Sequence, residues 1–205
     1  MTARGRFVVL EGGEGSGKST QAALLGQRLH AVLTREPGGT DVGSRLRDVL
    51  LGSGTGPLAA RTEALLVVAD RAQHVAEVVR PALDRGQNVV SDRFSGSTLA
   101  YQGYGRGLDV GELARLSSWA SAGLEPDLVL LLDVDQAVAA ARRCRPRDRM
   151  EAAGDTFHQK VVAGYLALAE ADPDRWTVVD GNGAVDEVAD RVWSAFESWA
   201  ARGGR

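Results

Sequence analysis

The sequence predicts an α/β fold, a five-stranded parallel sheet with helices on both faces, formed as one domain over residues 1–205. Three observations predict it. Short apolar runs near residues 7, 32, 89, 130 and 178 alternate with longer stretches of helical periodicity. The first run, Phe7-Val8-Val9-Leu10, feeds Gly12-Gly13-Glu14-Gly15-Ser16-Gly17-Lys18-Ser19, which fits the phosphate-binding pattern of glycine, four residues, then Gly-Lys-Ser or Gly-Lys-Thr. The other distinctive clusters are Arg35-Glu36-Pro37, Asp92-Arg93 and the arginine-rich stretch 142–149. Each follows the carboxyl end of a predicted strand, or that strand and its helix, where open parallel sheets bind ligands.

The glycine loop has the context its chemistry requires. Residues 18–29 read as a helix with Ala22, Leu25 and Leu29 on one stripe, so a strand leads into the loop and a helix leaves it. Glycines let successive backbone N–H groups turn around phosphate oxygens, and the helix N-terminus adds positive potential. Lys18 would neutralise charge on a transferred phosphate and Ser19 would ligate magnesium. Lys18 and Lys160 are the only lysines in the chain; arginine serves almost everywhere else.

The remaining elements follow in order. Residues 31–34 read as the second strand, ending in the turn-rich 35–40. Residues 42–51 read as a helix with Leu46, Val49 and Leu50 inward. The longest apolar-periodic stretch, 59–83, carries Ala64, Leu65, Val68, Ala72, Val75 and Val79 at helical spacing, and Pro81 predicts a break or kink near Arg80. Strand 88–91 ends in Asp92-Arg93-Phe94. Helices over 95–102 and 110–122 are separated by the glycine-rich 103–107. Strand 128–132 ends in Asp133, a helix covers 136–143, and 145–149 is a charged loop. Helix 155–171, strand 176–179 and the amphipathic helix 185–200 complete the chain.

Composition narrows the partners. The formal net charge is −3, so no basic excess points to nucleic acid. Cys144 is the only cysteine, which rules out an intrachain disulfide and suits a reducing compartment. Residues 1–6 are too short and polar for a signal peptide, and no apolar run approaches a membrane span. A cytoplasmic protein without nucleic-acid or membrane partners is expected.

Six segments resemble the thymidylate kinase family, in the family's order and across most of the chain. They are 11–20, the Thr-Arg-Glu-Pro-Gly-Gly-Thr of 34–40, Asp70-Arg71-Ala72-Gln73-His74, Asp92-Arg93-Phe94, Ala100-Tyr101-Gln102-Gly103 and Asp148-Arg149-Met150-Glu151. The resemblance implies a P-loop NTPase fold of nucleoside monophosphate kinase type, phosphorylating dTMP with ATP and Mg2+, and a homodimer built through the long helix of 59–79. Gly12, Gly13, Glu14, Gly15, Ser16, Gly17, Lys18, Ser19 and Thr20 would hold the ATP phosphates, with Ser19 and Asp92 at the metal. Arg47, Arg71 and Arg93 would surround the dTMP phosphate, a dianion suited to guanidinium forks. Glu14 would hold the sugar 3′-hydroxyl. Glu36 and Pro37 would line the substrate side, Ser97, Thr98 and Gln102 would face the base or the sugar edge, and Tyr101 would crowd the 2′ position.

Residues 142–154 resemble the family's mobile lid. The phosphate loop has Gly15 where some relatives carry arginine, and lid arginines would supply the missing charge; Arg143, Arg145, Arg147 and Arg149 are the candidates. Relatives usually stack a phenylalanine on thymine where this chain has Val67. Two rival readings remain: a kinase for another or several nucleoside monophosphates, and a nucleotide-binding switch. Against the switch, no Asn-Lys-x-Asp segment is present.

Overall fold

The computed structural model describes residues 4–52, 54–142 and 149–204. Its core is a parallel sheet of five strands in the order β2-β3-β1-β4-β5. The strands are β1 (Phe7–Gly12), β2 (Val32–Arg35), β3 (Val89–Asp92), β4 (Leu128–Asp133) and β5 (Trp176–Asp180). Continuous apolar sequence suits strands covered on both faces, and all six residues of β1 are buried.

Alternation along the strands gives the sheet two covered faces. On one face Val8, Leu10, Leu128 and Leu130 meet α1 (Lys18–Arg28) and α9 (Val185–Ala201), through Ala22, Leu25, Val192, Phe196 and Trp199. On the other face Phe7, Val9, Val89 and Val129 meet the long helix that starts as α3 (Ala60–His74), through Val75, Val79 and Leu83. Between α1 and α3, helix α2 (Asp41–Leu51) is capped by Thr40, whose hydroxyl accepts from the Gly43 N–H at 2.9 Å. Its Leu50 is buried, but Val49 is exposed, contrary to the expected inward stripe.

Pro81 does not break the long helix. One π turn over Val75–Val79 carries α3 into α4 (Arg80–Asp84), with the Arg80 N–H bonded to the Val75 carbonyl. The widened turn accommodates the proline's missing donor and ring bulk, so the chain continues instead of ending. Leu65, expected on the inward stripe, is 57 % exposed.

The glycine-rich stretch after the third strand also differs from the expected loop. Helix α5 (Ser95–Thr98) runs into a π-helical segment, Leu99–Gly105, before α6 (Val110–Ala120). Helix α8 (Asp155–Ala171) packs closely on that segment: a Cβ on Gly105 would lie 2.6 Å from the Phe157 ring. The glycine here permits a close helix approach. Helix α7 (Gln136–Ala141) precedes the stretch 142–154, within which Glu151–Ala153 forms a short 3-10 turn.

Candidate active site

A cavity of about 850 Å3 opens beyond the carboxyl ends of β1, β2 and β3. At its floor the chain leaves β1 through the glycine loop. Gly15 has φ 76°, and a Cβ there would lie 2.3 Å from the Ala139 carbonyl oxygen of α7, so both backbone and packing require glycine. The residue that opens α1, Lys18, donates from Nζ to the Gly13 carbonyl at 2.7 Å and to Ser16 Oγ at 3.2 Å. Burial, with the nearby charge of Arg93, lowers its pKa to about 8, against the pull of Glu14 and Asp92.

The next α1 residue, Ser19, donates its hydroxyl to Asp92 Oδ2 at the end of β3. The other carboxylate oxygen, Asp92 Oδ1, is buried without a hydrogen-bond partner among the described residues. A hydroxyl beside an uncommitted carboxylate oxygen is hard-oxygen chemistry that fits magnesium. No cluster of three His, Cys, Asp or Glu side chains stands nearby among the described residues, so a bound ion would complete its shell with phosphate oxygens and water.

Arg93 follows Asp92 with a left-handed φ of 75°, a sparsely populated conformation for a non-glycine residue. That turn directs its guanidinium back over the glycine loop. Nη2 donates to Glu14 Oε1 at 2.8 Å and to the Tyr101 hydroxyl at 3.2 Å. Nη1 donates to Ser97 Oγ and the Tyr165 hydroxyl, both at 3.0 Å, and to the Gly12 carbonyl at 3.3 Å. Tyr101 in turn donates to Glu14 Oε1 at 3.0 Å, and burial holds its phenol protonated.

Glu11 supports this arrangement from the middle of the sheet. It accepts from the Phe94 and Ser97 N–H groups at 2.9 and 3.0 Å, from Ser97 Oγ at 2.6 Å and from the Tyr165 hydroxyl at 3.0 Å. Burial raises its pKa, opposed by Ser97 and by the charge of Arg93. Ser97 is expected at the base or sugar edge, but its hydroxyl is engaged by Glu11, Tyr165 and Arg93, which makes it a support for Arg93.

The opposite wall is built around Arg71, which is 1 % exposed. Its Nε donates to Glu36 Oε2 at 3.0 Å, Nη2 lies 2.8 Å from the same oxygen, Nη1 donates to Ser117 Oγ at 3.0 Å and Nη2 to Thr98 Oγ1 at 2.9 Å. Only one Nη1 hydrogen remains uncommitted among the described residues. Like Arg93, which pairs with Glu14, Arg71 is already paired with a carboxylate, so it reaches a ligand through that one donor. Glu36 likewise turns inward, to Arg71 and to His74 Nδ1 at 2.9 Å. Pro37 and Arg47 line the cavity, joined by a 2.8 Å bond from Arg47 Nη1 to the Pro37 carbonyl. Val67, Thr98, Tyr101 and Gln102 also line the cavity, and Thr20 lies at the exposed mouth.

The lid base divides. Arg143, Arg145 and Arg147 lie outside the described residues. Arg149, expected to serve the phosphates, instead donates to the Leu50 carbonyl at 2.8 Å and pairs with Glu63 at 3.1 Å. Arg142 does line the cavity: it donates to the Gly181 and Gly183 carbonyls at 2.9 and 2.8 Å and stands beside Gly17.

Glu11, Glu63, Arg142 and Tyr165 are functional candidates that the sequence reading did not single out. A charge inside an apolar strand or on a buried helix stripe was the available signal for Glu11 and Glu63. Tyr165 reads only as an inward helix residue.

A glycine loop after β1, a lysine opening α1, and an Asp-Arg pair at the end of the adjacent strand define a phosphate-loop protein of the nucleoside monophosphate kinase fold. The family model described as thymidylate kinase matches residues 10–192, and the chain belongs to that family. A thymidylate kinase of Leifsonia xyli subsp. xyli is 53 % identical over 196 residues, covering 92 % of each chain. One of Cutibacterium acnes is 49 % identical over 193 residues, covering 92 % of this chain and 94 % of its own. The crystal structure of thymidylate kinase from Ehrlichia chaffeensis superposes with a TM-score of 0.80 at 29 % identity, over 94 % of this chain and 99 % of the other.

Proposed function

We propose that the chain transfers the γ-phosphoryl group of ATP to dTMP, giving dTDP and ADP. The observation that carries the reading is the Arg93–Glu14–Tyr101 junction, which ties the monophosphate side of the cavity to the middle of the phosphate loop. An oxygen of the dTMP phosphate attacks the γ-phosphorus in line, that P–O bond forms as the bond to the β,γ-bridging oxygen breaks, and ADP leaves. The acceptor is already an anion, so no general base is required. Positioning and charge neutralisation supply the catalysis.

Within this reading, Lys18 and the loop N–H groups hold the ATP phosphates, and Arg93 holds the dTMP phosphate. Ser19 and Asp92 would hold Mg2+, which when bound neutralises phosphate charge. Arg142 offers a guanidinium between the loop and the carbonyls that follow β5, where the donor nucleotide would extend. The remaining Arg71 donor, Gln102 and Val67 face the base, and the Tyr101 ring, fixed through its hydroxyl, bars a 2′-hydroxyl.

A homodimer belongs to the same reading. Trp119 is 79 % exposed, and Leu65 and Leu116 are also exposed, on α3 and α6, which pack against each other. A cytoplasmic location is proposed on the sequence ground of a single cysteine. No helix among the described residues is long and apolar enough to cross a membrane. Chromatography of a reaction with ATP and dTMP tests the chemistry: equimolar dTDP and ADP are expected, and ADP with inorganic phosphate would contradict transfer.

A further inference from the structure

Glu63 sits on α3, fully buried, and its carboxylate gathers three donor side chains from two separate parts of the chain. Gln102 Nε2 donates to Oε1 at 2.9 Å. Arg106 donates from Nε to Oε1 and from Nη2 to Oε2, both at 3.2 Å, and Arg149 Nη1 lies 3.1 Å from Oε2. Two ion pairs on one buried carboxylate leave it an acceptor and nothing else. A side-chain amide has one donating and one accepting end, and its orientation is set by its partners. Against an acceptor-only neighbour, Gln102 must present its nitrogen. The end left over is the carbonyl oxygen, and Gln102 lines the cavity.

We propose that Glu63 is a positioning residue that fixes the amide of Gln102 so that the site offers an acceptor to the base, and so sets the preference between pyrimidines. The inference rests on the reading of the cavity as a dTMP site. Thymine carries N–H at position 3 beside an oxygen at position 4; cytosine carries a bare nitrogen beside an amino group. A fixed acceptor from Gln102, with the one uncommitted donor of Arg71 in the same cavity, matches the first pattern and opposes the second. Arg106 and Arg149 balance the buried charge, so the amide polarity is held by the fold and is in place before substrate arrives. Without Glu63 the amide can turn over and present N–H to the base.

The test is the ratio of kcat/KM for dTMP to that for dCMP, with dissociation constants for both, in the parent, Glu63→Gln, Glu63→Asp, Gln102→Met and the Glu63→Gln/Gln102→Met pair. Glutamine at 63 both donates and accepts, so the dTMP preference is expected to fall about tenfold, the usual weight of one buried hydrogen bond. The change should appear in KM and binding, with kcat for dTMP moving about threefold or less. Glu63→Asp keeps an acceptor-only group and should keep most of the preference. In the Gln102→Met background, Glu63→Gln should produce no further change in the ratio. An unchanged ratio in folded Glu63→Gln, or the same drop with Gln102 already removed, would overturn the inference.

Amide exchange in the parent tests the same point without a substitution. The Gln102 side-chain N–H pair, assigned by its loss in Gln102→Met, should be protected with and without dTMP. Protection that appears only with dTMP would place the nitrogen toward the base and overturn the inference. A parent that does not favour dTMP over dCMP would overturn the base-site reading and this inference together, and the parent measurement alone reveals that outcome.

Discussion

Arg93 Nη2 reaches Glu14 Oε1 at 2.8 Å, joining the residue after β3 to the centre of the phosphate loop. The pair is mostly shielded, and Tyr101 closes it from the side. The guanidinium is therefore already oriented, and with its Nη hydrogens on these partners and on Ser97 and Tyr165 an incoming phosphate takes the Nε–H or displaces one of them. Arg93→Ala removes the phosphate's guanidinium along with its bonds to Glu14 and Tyr101, so it should weaken dTMP by about 10- to 100-fold, the range for a charged hydrogen bond, and thymidine by a clearly smaller factor. Calorimetric titration of both ligands checks this. Equal weakening would make Arg93 a purely structural residue.

Lys18 makes ATP binding a proton-linked event. Its pKa of about 8 lies below the ordinary lysine value, so near pH 9 most molecules carry it neutral. Phosphate anions favour the charged form, so binding must take up a proton. Titrating ATP at pH 9 in two buffers of different ionisation enthalpy should reveal uptake approaching about one proton, falling toward zero below about pH 7. No uptake at pH 9 would contradict the depressed pKa.

Asp70 should make the fold less stable as pH rises. Burial and the charge of Glu36 raise its pKa to about 6, from 3.8. The folded state then binds this proton more tightly than the unfolded chain does, so stability falls between about pH 4 and 6 and stays reduced above. Asp70→Asn keeps an acceptor for the Gly38 N–H, bonded at 2.9 Å, and removes the charge. The variant should be more stable than the parent at pH 8, by up to about 3 kcal/mol, with the difference shrinking toward pH 4. Thermal unfolding across that range decides it; a variant less stable than the parent at pH 8 would refute the buried-charge account.

Trp119 and its neighbours carry the proposed dimer. A glutamate in place of Trp119 should shift sedimentation from dimer to monomer at micromolar concentration while leaving the monomer folded. A parent that sediments as a monomer would remove the dimer from the reading.

The elements nearest in sequence were the most legible. The phosphate loop lies in one contiguous stretch, and its strand and helix fall where periodicity places them. Asp92 and Arg93 stand out because charge follows an apolar strand directly. Sequence spacing could not show the left-handed turn at Arg93, since nothing forbids an ordinary β-region residue there. The two π turns were also illegible: Pro81 reads as a break, and only packing shows that a widened turn absorbs it. Arg71 and Arg149 each match a motif, but their partners, Glu36 and Glu63, come from distant segments, so their roles emerged only when the chain was folded. Val67 lines the cavity where stacking was expected, and a branched aliphatic there offers dispersion contact in place of a ring.

The most direct measurement is ADP release by the parent, coupled to a spectroscopic assay, with ATP and saturating dTMP, dUMP, dCMP, dGMP or AMP in turn. The highest kcat/KM is expected with dTMP, and negligible release without a monophosphate. Comparable rates with several monophosphates would contradict selective dTMP phosphorylation, and equal release in the absence of any acceptor would identify an NTP-hydrolysing switch instead.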